Sequence, residues 1–325
     1  MHFLTDPFLV DPARFDGPVL VTGAGGCIGA WMRAILHRSG VKVIANDLND
    51  DRRRPALLLG DDANALTWET SDISDASRLN EIVTAHGARA IIHLAGMQVP
   101  FCKASPALGA RANVEGTINV LEAARAADIK RTVYTSSVAA LGMPPGGDYL
   151  ATLYGAYKLA NEYTAKVFWQ DWEVPSIGIR PNVVYGVARD QGMSSKCTAA
   201  ILSAVLGDPY EVPFDGPVSW LYAGEAAAAM IACVSAEQSG APVFDLNGAC
   251  ETVANGLDHL RAIMPEAEVS STGTPFPFPA DLSDEPLRAH IAPYPSISVE
   301  EGVALTHRAF TQLAEEGRID ASSIS

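Results

Sequence analysis

Tyr154 and Lys158 stand four residues apart in Tyr154-Gly155-Ala156-Tyr157-Lys158. On a helix that spacing puts both side chains on one face. A phenol ionises near pH ~10, and a neighbouring ammonium favours its phenolate. The pair can therefore exchange a proton with a substrate oxygen near neutrality. Upstream, Tyr134-Thr135-Ser136-Ser137 ends a strand, and a hydroxyl at that end can hold the same oxygen. Each feature is common by itself: a tyrosine packed under a surface lysine, or serines that merely close a strand, give the same strings.

A second group of residues suits a phosphate-bearing ligand. Thr22-Gly23-Ala24-Gly25-Gly26-Cys27-Ile28-Gly29 follows one apolar run and opens a helical stretch. Gly23 permits a tight turn, Gly26 lets backbone approach a pyrophosphate, and Gly29 lets the helix pack closely. The helix N-terminus offers N–H groups and partial positive charge, so no lysine is required. Asp47 follows about 20 residues on, where a carboxylate can bind a ribose 2′-hydroxyl. It would repel a 2′-phosphate, which favours NAD over NADP. Arg52, Arg53 and Arg54 could bind such a phosphate, but a solvated cluster is the expected arrangement. Asp72, in SDISD, either contacts adenine or caps the following helix.

The elements that must position these residues alternate. Strands are expected at 19–21, 41–47, 65–69, 88–93, 131–137 and within 175–186 up to about Arg180. Helices are expected at 27–37, 113–127 and 154–169. That alternation predicts an α/β, Rossmann-type doubly wound parallel sheet. After Gly186 glycine and proline dominate, with six prolines between 274 and 295. Residues 1–186 are expected to form the dinucleotide-binding domain, with 1–16 as an N-terminal extension. Residues 187–325 are expected to form mainly a smaller C-terminal substrate-binding lobe, partly interleaved with the sheet. Ser298 and Glu301 form a capping box ahead of a terminal helix ending near Glu316.

The 325 residues carry a formal charge of -15, which disfavours nucleic acid and anionic membrane as partners. Five cysteines without C-x-x-C spacing predict neither disulfides nor a metal site and suit a cytoplasmic protein. The N-terminus does not read as a signal peptide, and no apolar run reaches the roughly 18 residues of a membrane span.

Taken together, TGAGGCIG, Asp47, SDISD, HLAG, NVEGTINVLEAA, TSSVAALG, YGAYK and RPNVVYG, in that order, resemble the extended short-chain dehydrogenase/reductase family of NAD-dependent epimerase/dehydratase type. The resemblance covers about 22–186 and weakens beyond. It implies Ser137, Tyr154 and Lys158 as catalytic residues, with Lys158 also holding the nicotinamide ribose and depressing the tyrosine pKa. It implies cofactor contacts from Gly23, Gly26, Cys27, Ile28, Gly29, Asp47, Asp72, Ile73, Leu94, Ala95, Gly96, Asn113, Tyr154 and Lys158, and from Pro181 to Val183 at the nicotinamide end. It makes His93 structural. It also implies a homodimer through the helices from Asn113 and from Tyr154, where Val120, Leu121 and Val167 are candidates. Cys27 stands where an aromatic is usual, and Val187 where proline is. Val138 and Ala139 stand where dehydratases carry an acidic pair, which argues against dehydration. Between Val187 and Tyr222 only Arg189 and Lys196 are strong cations, and GDPYEVPFDGPVSWLY holds no arginine, which argues against a nucleotide diphosphate substrate. The expected activity is hydride transfer between NAD and a secondary alcohol or carbonyl of a small sugar, sugar acid or polyol. The alternatives are a sugar or nucleotide-sugar epimerase and a non-catalytic NAD sensor.

Overall fold

A computed structural model describes residues 1–142, 151–320 and Ser323. Seven parallel strands form the main sheet. In chain order the first six are β1 (Val19–Thr22), β2 (Val43–Asp47), β3 (Thr67–Thr70), β4 (Ala90–His93), β5 (Thr132–Thr135) and β6 (Ile177–Pro181). Their spatial order is β6-β5-β4-β1-β2-β3. The seventh strand, Val243–Leu246, joins the free side of β6. Chain order reverses between β1 and β4, and a ligand crevice belongs outside the strand ends at such a switch point.

Both faces of the sheet's centre are covered, so the inner strands β1 and β4 are buried along their whole length rather than alternating, while the edge strand β3 is polar and partly exposed. Val19 and Val21 face one core with Trp31, Ile35 and the buried helix Ala223–Val234. Leu20, between them, faces the other with Leu79, Val120, Leu121 and Phe168. Residues beyond 186 also form a three-stranded sheet with Val184–Tyr185 and a two-stranded one.

Several local expectations are corrected. The stretch 113–127 is not one regular helix: a π-turn spans Arg111–Glu115, and the α-helix is Gly116–Ala126. Asn113 holds the π-turn, its side-chain amide donating to the carbonyls of Met97 and Gly109 at 3.1 and 2.9 Å. Asp72 does not cap the helix Ala76–His86. Asp75 does, accepting from Arg78 N, while Asp72 accepts from Ser74. Only Arg53 of the arginine run is solvated. Arg52 lies over Trp68 and donates to backbone carbonyls, and Arg54 binds Asp190 and the Gly25 carbonyl. Val120 and Leu121 are buried in the core and present nothing to a partner. Val167 is exposed, as are Leu159 and Tyr163 on the same helix. The helix Val299–Glu315 begins at Ser298, whose hydroxyl accepts from Glu301 N as the capping box requires.

His93, at the end of β4, is enclosed by a directional chain. Thr22 Oγ1 accepts from Ala95 N and hydrogen-bonds His93 Nδ1 at 2.7 Å. His93 Nε2 meets Thr117 Oγ1 at 3.1 Å, and Thr117 donates onward to the Asn113 carbonyl. A neutral ring with its proton on Nε2 satisfies every partner. Burial, with the charge of Lys158, pushes its pKa from 6.5 down to about 3. The unfolded chain then binds a proton below pH 6.5 that the native state refuses. The stability is present above that pH and is lost as pH falls toward 3, at about 1.4 kcal/mol per unit. We expect His93→Gln to lessen the loss of stability between pH 6.5 and 5 by about 2 kcal/mol. Urea titrations of both proteins at the two pH values measure it, and equal slopes would refute a neutral buried His93.

Candidate active site

A cleft of about 590 Å³ runs along the strand ends at the switch point, within the range of small-molecule sites. Gly23, Gly26, Cys27, Ile28 and Gly29 form one end with Asp47, Asp72 and Ile73, and Ser137, Tyr154 and Lys158 the other; Leu94, Ala95, Gly96, Pro181 and Val183 also line it. Asn113 does not line it. It lies behind the wall, fully buried, with its Oδ1 unpartnered beside Gly96.

The glycine end fits a dinucleotide. Gly23 holds φ +70°, and a Cβ there would fall 2.6 Å from Ala95 N. Only glycine supplies that turn without displacing the β4 end. No side chain caps the helix Cys27–Arg38 at Gly26, and its first-turn residues Cys27, Ile28 and Gly29 face the cleft. Their N–H groups are those a helix leaves unpaired, so a phosphate could complete them. Asp47 is oriented by backbone: Oδ2 accepts from Gly25 N at 2.8 Å and Oδ1 from Leu48 N at 2.7 Å. Cys27 is no nucleophile, since burial pushes its thiol up to about 11.

The other end gathers the proton-bearing groups. Tyr154 and Lys158 project from the first turns of the helix Leu153–Trp172, capped by Thr152 Oγ1 on Gly155 N. A Cβ on Gly155 would fall 2.3 Å from the Ala139 carbonyl oxygen, so glycine lets this helix lie against the turn that carries Ser137. Ser137 hydrogen-bonds the Tyr154 phenol. Lys158 is buried, its Nζ donating to the Thr135 carbonyl at 2.7 Å and lying 5.6 Å from the Tyr154 ring centre.

The expected depression of the tyrosine pKa is not found. Burial raises it, against the opposing pull of the Ser137 bond and of Arg189. The ammonium of Lys158 is spent on a carbonyl, and burial lowers its own pKa to about 8. The phenol in this structure is therefore a proton donor at neutral pH.

Asn182 and Arg189 also line the cleft, as do Gln98, Phe276 and Phe278, which were not legible as such. Asn182 Nδ2 binds Asn247 Oδ1 and the Pro279 carbonyl, and Asn247 binds the Ala280 carbonyl. These bonds hold the proline-rich strap against the strand ends and bring its Phe276 and Phe278 over the cleft. Among the described residues no cluster of three His, Cys, Asp or Glu side chains could hold a metal. Nor is any helix long and apolar enough to cross a membrane.

The fold and this cleft define a dinucleotide-binding α/β protein with a serine–tyrosine–lysine centre. The profile of the NAD dependent epimerase/dehydratase family matches residues 19–247, and the chain belongs to that family. UDP-glucose 4-epimerase from Klebsiella pneumoniae is 35% identical over 41% of this chain and 97% of its own sequence. UDP-glucose 4-epimerase 4 of Oryza sativa is 36% identical over 50% of this chain and 48% of that protein. The chain spans between 32% and 62% of the length of the first curated relatives it matches. Among solved structures, UDP-glucose 4-epimerase from Thermotoga maritima superposes with TM-score 0.77 at 20% identity, covering 91% of this chain and 99% of its own. An L-threonine dehydrogenase from Cupriavidus necator gives 0.76 at 23% identity, covering 90% and 99%. At such identity these structures bear on the fold alone.

Proposed function

We propose that the protein is an NAD-dependent dehydrogenase acting on a secondary alcohol, or the matching carbonyl, of a small sugar, sugar acid or polyol. The observation that carries this is the meeting of Ser137, Tyr154 and Lys158 at one end of a cleft whose other end fits a dinucleotide. NAD, when bound, supplies the acceptor for the electron pair of the substrate C–H bond. Gly23, Gly26, Cys27, Ile28, Gly29 and Asp47 would hold its adenosine diphosphate half, with Asp72, Ile73, Leu94, Ala95 and Gly96 along one wall. Pro181 and Val183 would bound the nicotinamide end. Asn113 acts from behind, by fixing the π-turn and the wall at Gly96.

Ser137 orients the substrate oxygen and Tyr154 exchanges its proton. In carbonyl reduction the phenol gives its proton to the nascent alkoxide. In alcohol oxidation the same oxygen takes it back, which requires the phenolate and is favoured by rising pH. Lys158 holds the Thr135 carbonyl and places its positive charge beneath the reacting end. The lobe built mainly from 187–325 would carry substrate choice through Arg189, Phe276 and Phe278. Val138 and Ala139 transfer no protons, which leaves dehydration without its acid and base.

Asp47 would set cofactor choice. We expect Asp47→Ala to weaken NAD and shift the NADP-to-NAD preference by about tenfold or more, because a fixed carboxylate repels a 2′-phosphate. Titration of both dinucleotides by calorimetry tests it; unchanged preference would remove Asp47 from the site.

The second reading is an epimerase, favoured by the names of the curated relatives. It would use the same residues twice, with no net change in NAD. Following absorbance of reduced NAD against a panel of sugars, aldonates, uronates and polyols separates the two. Net reduction supports the dehydrogenase, while substrate interconversion at constant NAD would overturn it. The exposed face of Leu159, Tyr163 and Val167 and the five free cysteines support a cytoplasmic homodimer. Sedimentation at micromolar concentration checks the dimer.

A further inference from the structure

Arg189 is the lining cation whose surroundings the described residues do not close. Its Nη2 donates to Ser194 Oγ at 2.9 Å, while its Nε is buried and has no partner among the described residues. An unpaired guanidinium N–H away from water is costly and marks a place for an acceptor. The chain also accepts backbone strain to present it. Ala188, immediately before, holds φ +71°, a left-handed conformation that alanine adopts rarely. Gln98 converges on the same point. A Cβ on Gly192 would lie 2.7 Å from Gln98 Oε1 and 3.2 Å from Arg189 Nη2. The charge of Arg189 reaches the Tyr154 phenol.

The other cations of the cleft are engaged. Arg54 binds Asp190 and the Gly25 carbonyl, Lys158 binds the Thr135 carbonyl, and Arg111 pairs at the exposed mouth with Glu115. One guanidinium balances one negative charge. A carboxylate carries one and matches the planar fork, whereas a nucleoside diphosphate carries more and needs further cations. Phe276 and Phe278 add apolar surface to this end.

We propose that Arg189, with Ser194 and Gln98, is a carboxylate subsite, and that the substrate is a small hydroxy acid whose hydroxyl lies at Tyr154 and Ser137. This rests on the dehydrogenase reading and narrows it. The acid group fixes one end of the molecule, so the hydroxyl-bearing carbon is presented in one orientation.

The test compares hydroxy acids with their uncharged counterparts: lactate with 1,2-propanediol, glycerate with glycerol, 3-hydroxybutyrate with 1,3-butanediol, gluconate with sorbitol. With NAD, the preferred acid should exceed its counterpart in kcat/KM by about tenfold or more. Arg189→Met should raise the KM for that acid by roughly 10- to 100-fold with a smaller change in kcat, and Arg189→Lys should recover part of the loss. Unchanged NAD affinity and cooperative melting show that the variants are folded. Equal use of acids and neutral counterparts, or an acid KM within about threefold of wild type in folded Arg189→Met, overturns the inference and leaves the dehydrogenase standing. If nothing on the panel reduces NAD, calorimetry on the NAD-loaded protein decides. Acid binding lost in Arg189→Met keeps the subsite while the dehydrogenase reading fails. No acid binding, or binding of inorganic phosphate or UDP that depends on Arg189, overturns the carboxylate assignment.

Discussion

Tyr154→Phe should retain NAD binding and lose turnover by a factor of roughly 10² to 10⁴, the range that a positioned acid–base group supplies. The substitution removes one oxygen and leaves the ring. The packing of the helix Leu153–Trp172 against the Ser137 turn depends on Gly155 and Thr152, which are untouched. NAD affinity should accordingly stay within about threefold of wild type, since the groups fitted to its phosphates lie at the other end of the cleft. Single-turnover reduction of NAD, with dinucleotide affinity measured separately, distinguishes a lost proton transfer from a lost site. Near-normal turnover would remove Tyr154 from the mechanism. Alcohol oxidation by the wild type should also quicken as pH rises from neutrality, because the phenol is held above its ordinary pKa.

The ionisation of Tyr154 is not encoded in its local sequence. The four-residue spacing placed Tyr154 and Lys158 on one helix face, and the structure agrees. It carried no information on where the ammonium points or how deeply either group is buried, and those decide the pKa. The glycine loop, Asp47 and the strand ends were legible because their signals are local: a turn, a cap, a run of apolar residues. The seventh strand, Val243–Leu246, was not, because its place beside β6 is a tertiary choice. The helix Ala223–Val234 was missed for a different reason. Its alanines are buried on all sides, so it has no polar face and no period to detect. The link from Asn182 to Pro279 joins positions 97 residues apart and gives the proline-rich strap its place over the cleft. The link from Arg54 to Asp190 spans 136 residues and turns an apparently solvated arginine inward. Nothing in the spacing of either pair announces the other.

Glu162 is a further pairing of this kind, and its removal should have the largest effect on stability. It lies two turns along the catalytic helix from Tyr154, with its side chain 2% exposed. Its carboxylate accepts from Arg180 Nε and Nη2 at 2.7 and 2.6 Å and from the Ser136 hydroxyl. Arg180 reaches on to Asp245 at 3.3 Å. One buried carboxylate thus ties the helix to the ends of β5 and β6 and to the strand Val243–Leu246, the frame on which Ser137 and Tyr154 are set. Glu162→Ala leaves the half-buried guanidinium without its main partner, and we expect a loss of about 3–5 kcal/mol, read from urea midpoints. Replacing both partners by apolar residues of similar volume, Glu162→Met with Arg180→Met, should recover much of that loss, since the pair's desolvation disappears with it. The double variant should still turn over more slowly than wild type, because apolar packing does not fix the angle between helix and strand ends as bidentate bonds do. A loss below about 1 kcal/mol for Glu162→Ala would mean that the helix is held by its apolar face alone. In that case the positions of Ser137 and Tyr154 would depend on Gly155 and the Thr152 cap rather than on the buried ion pair.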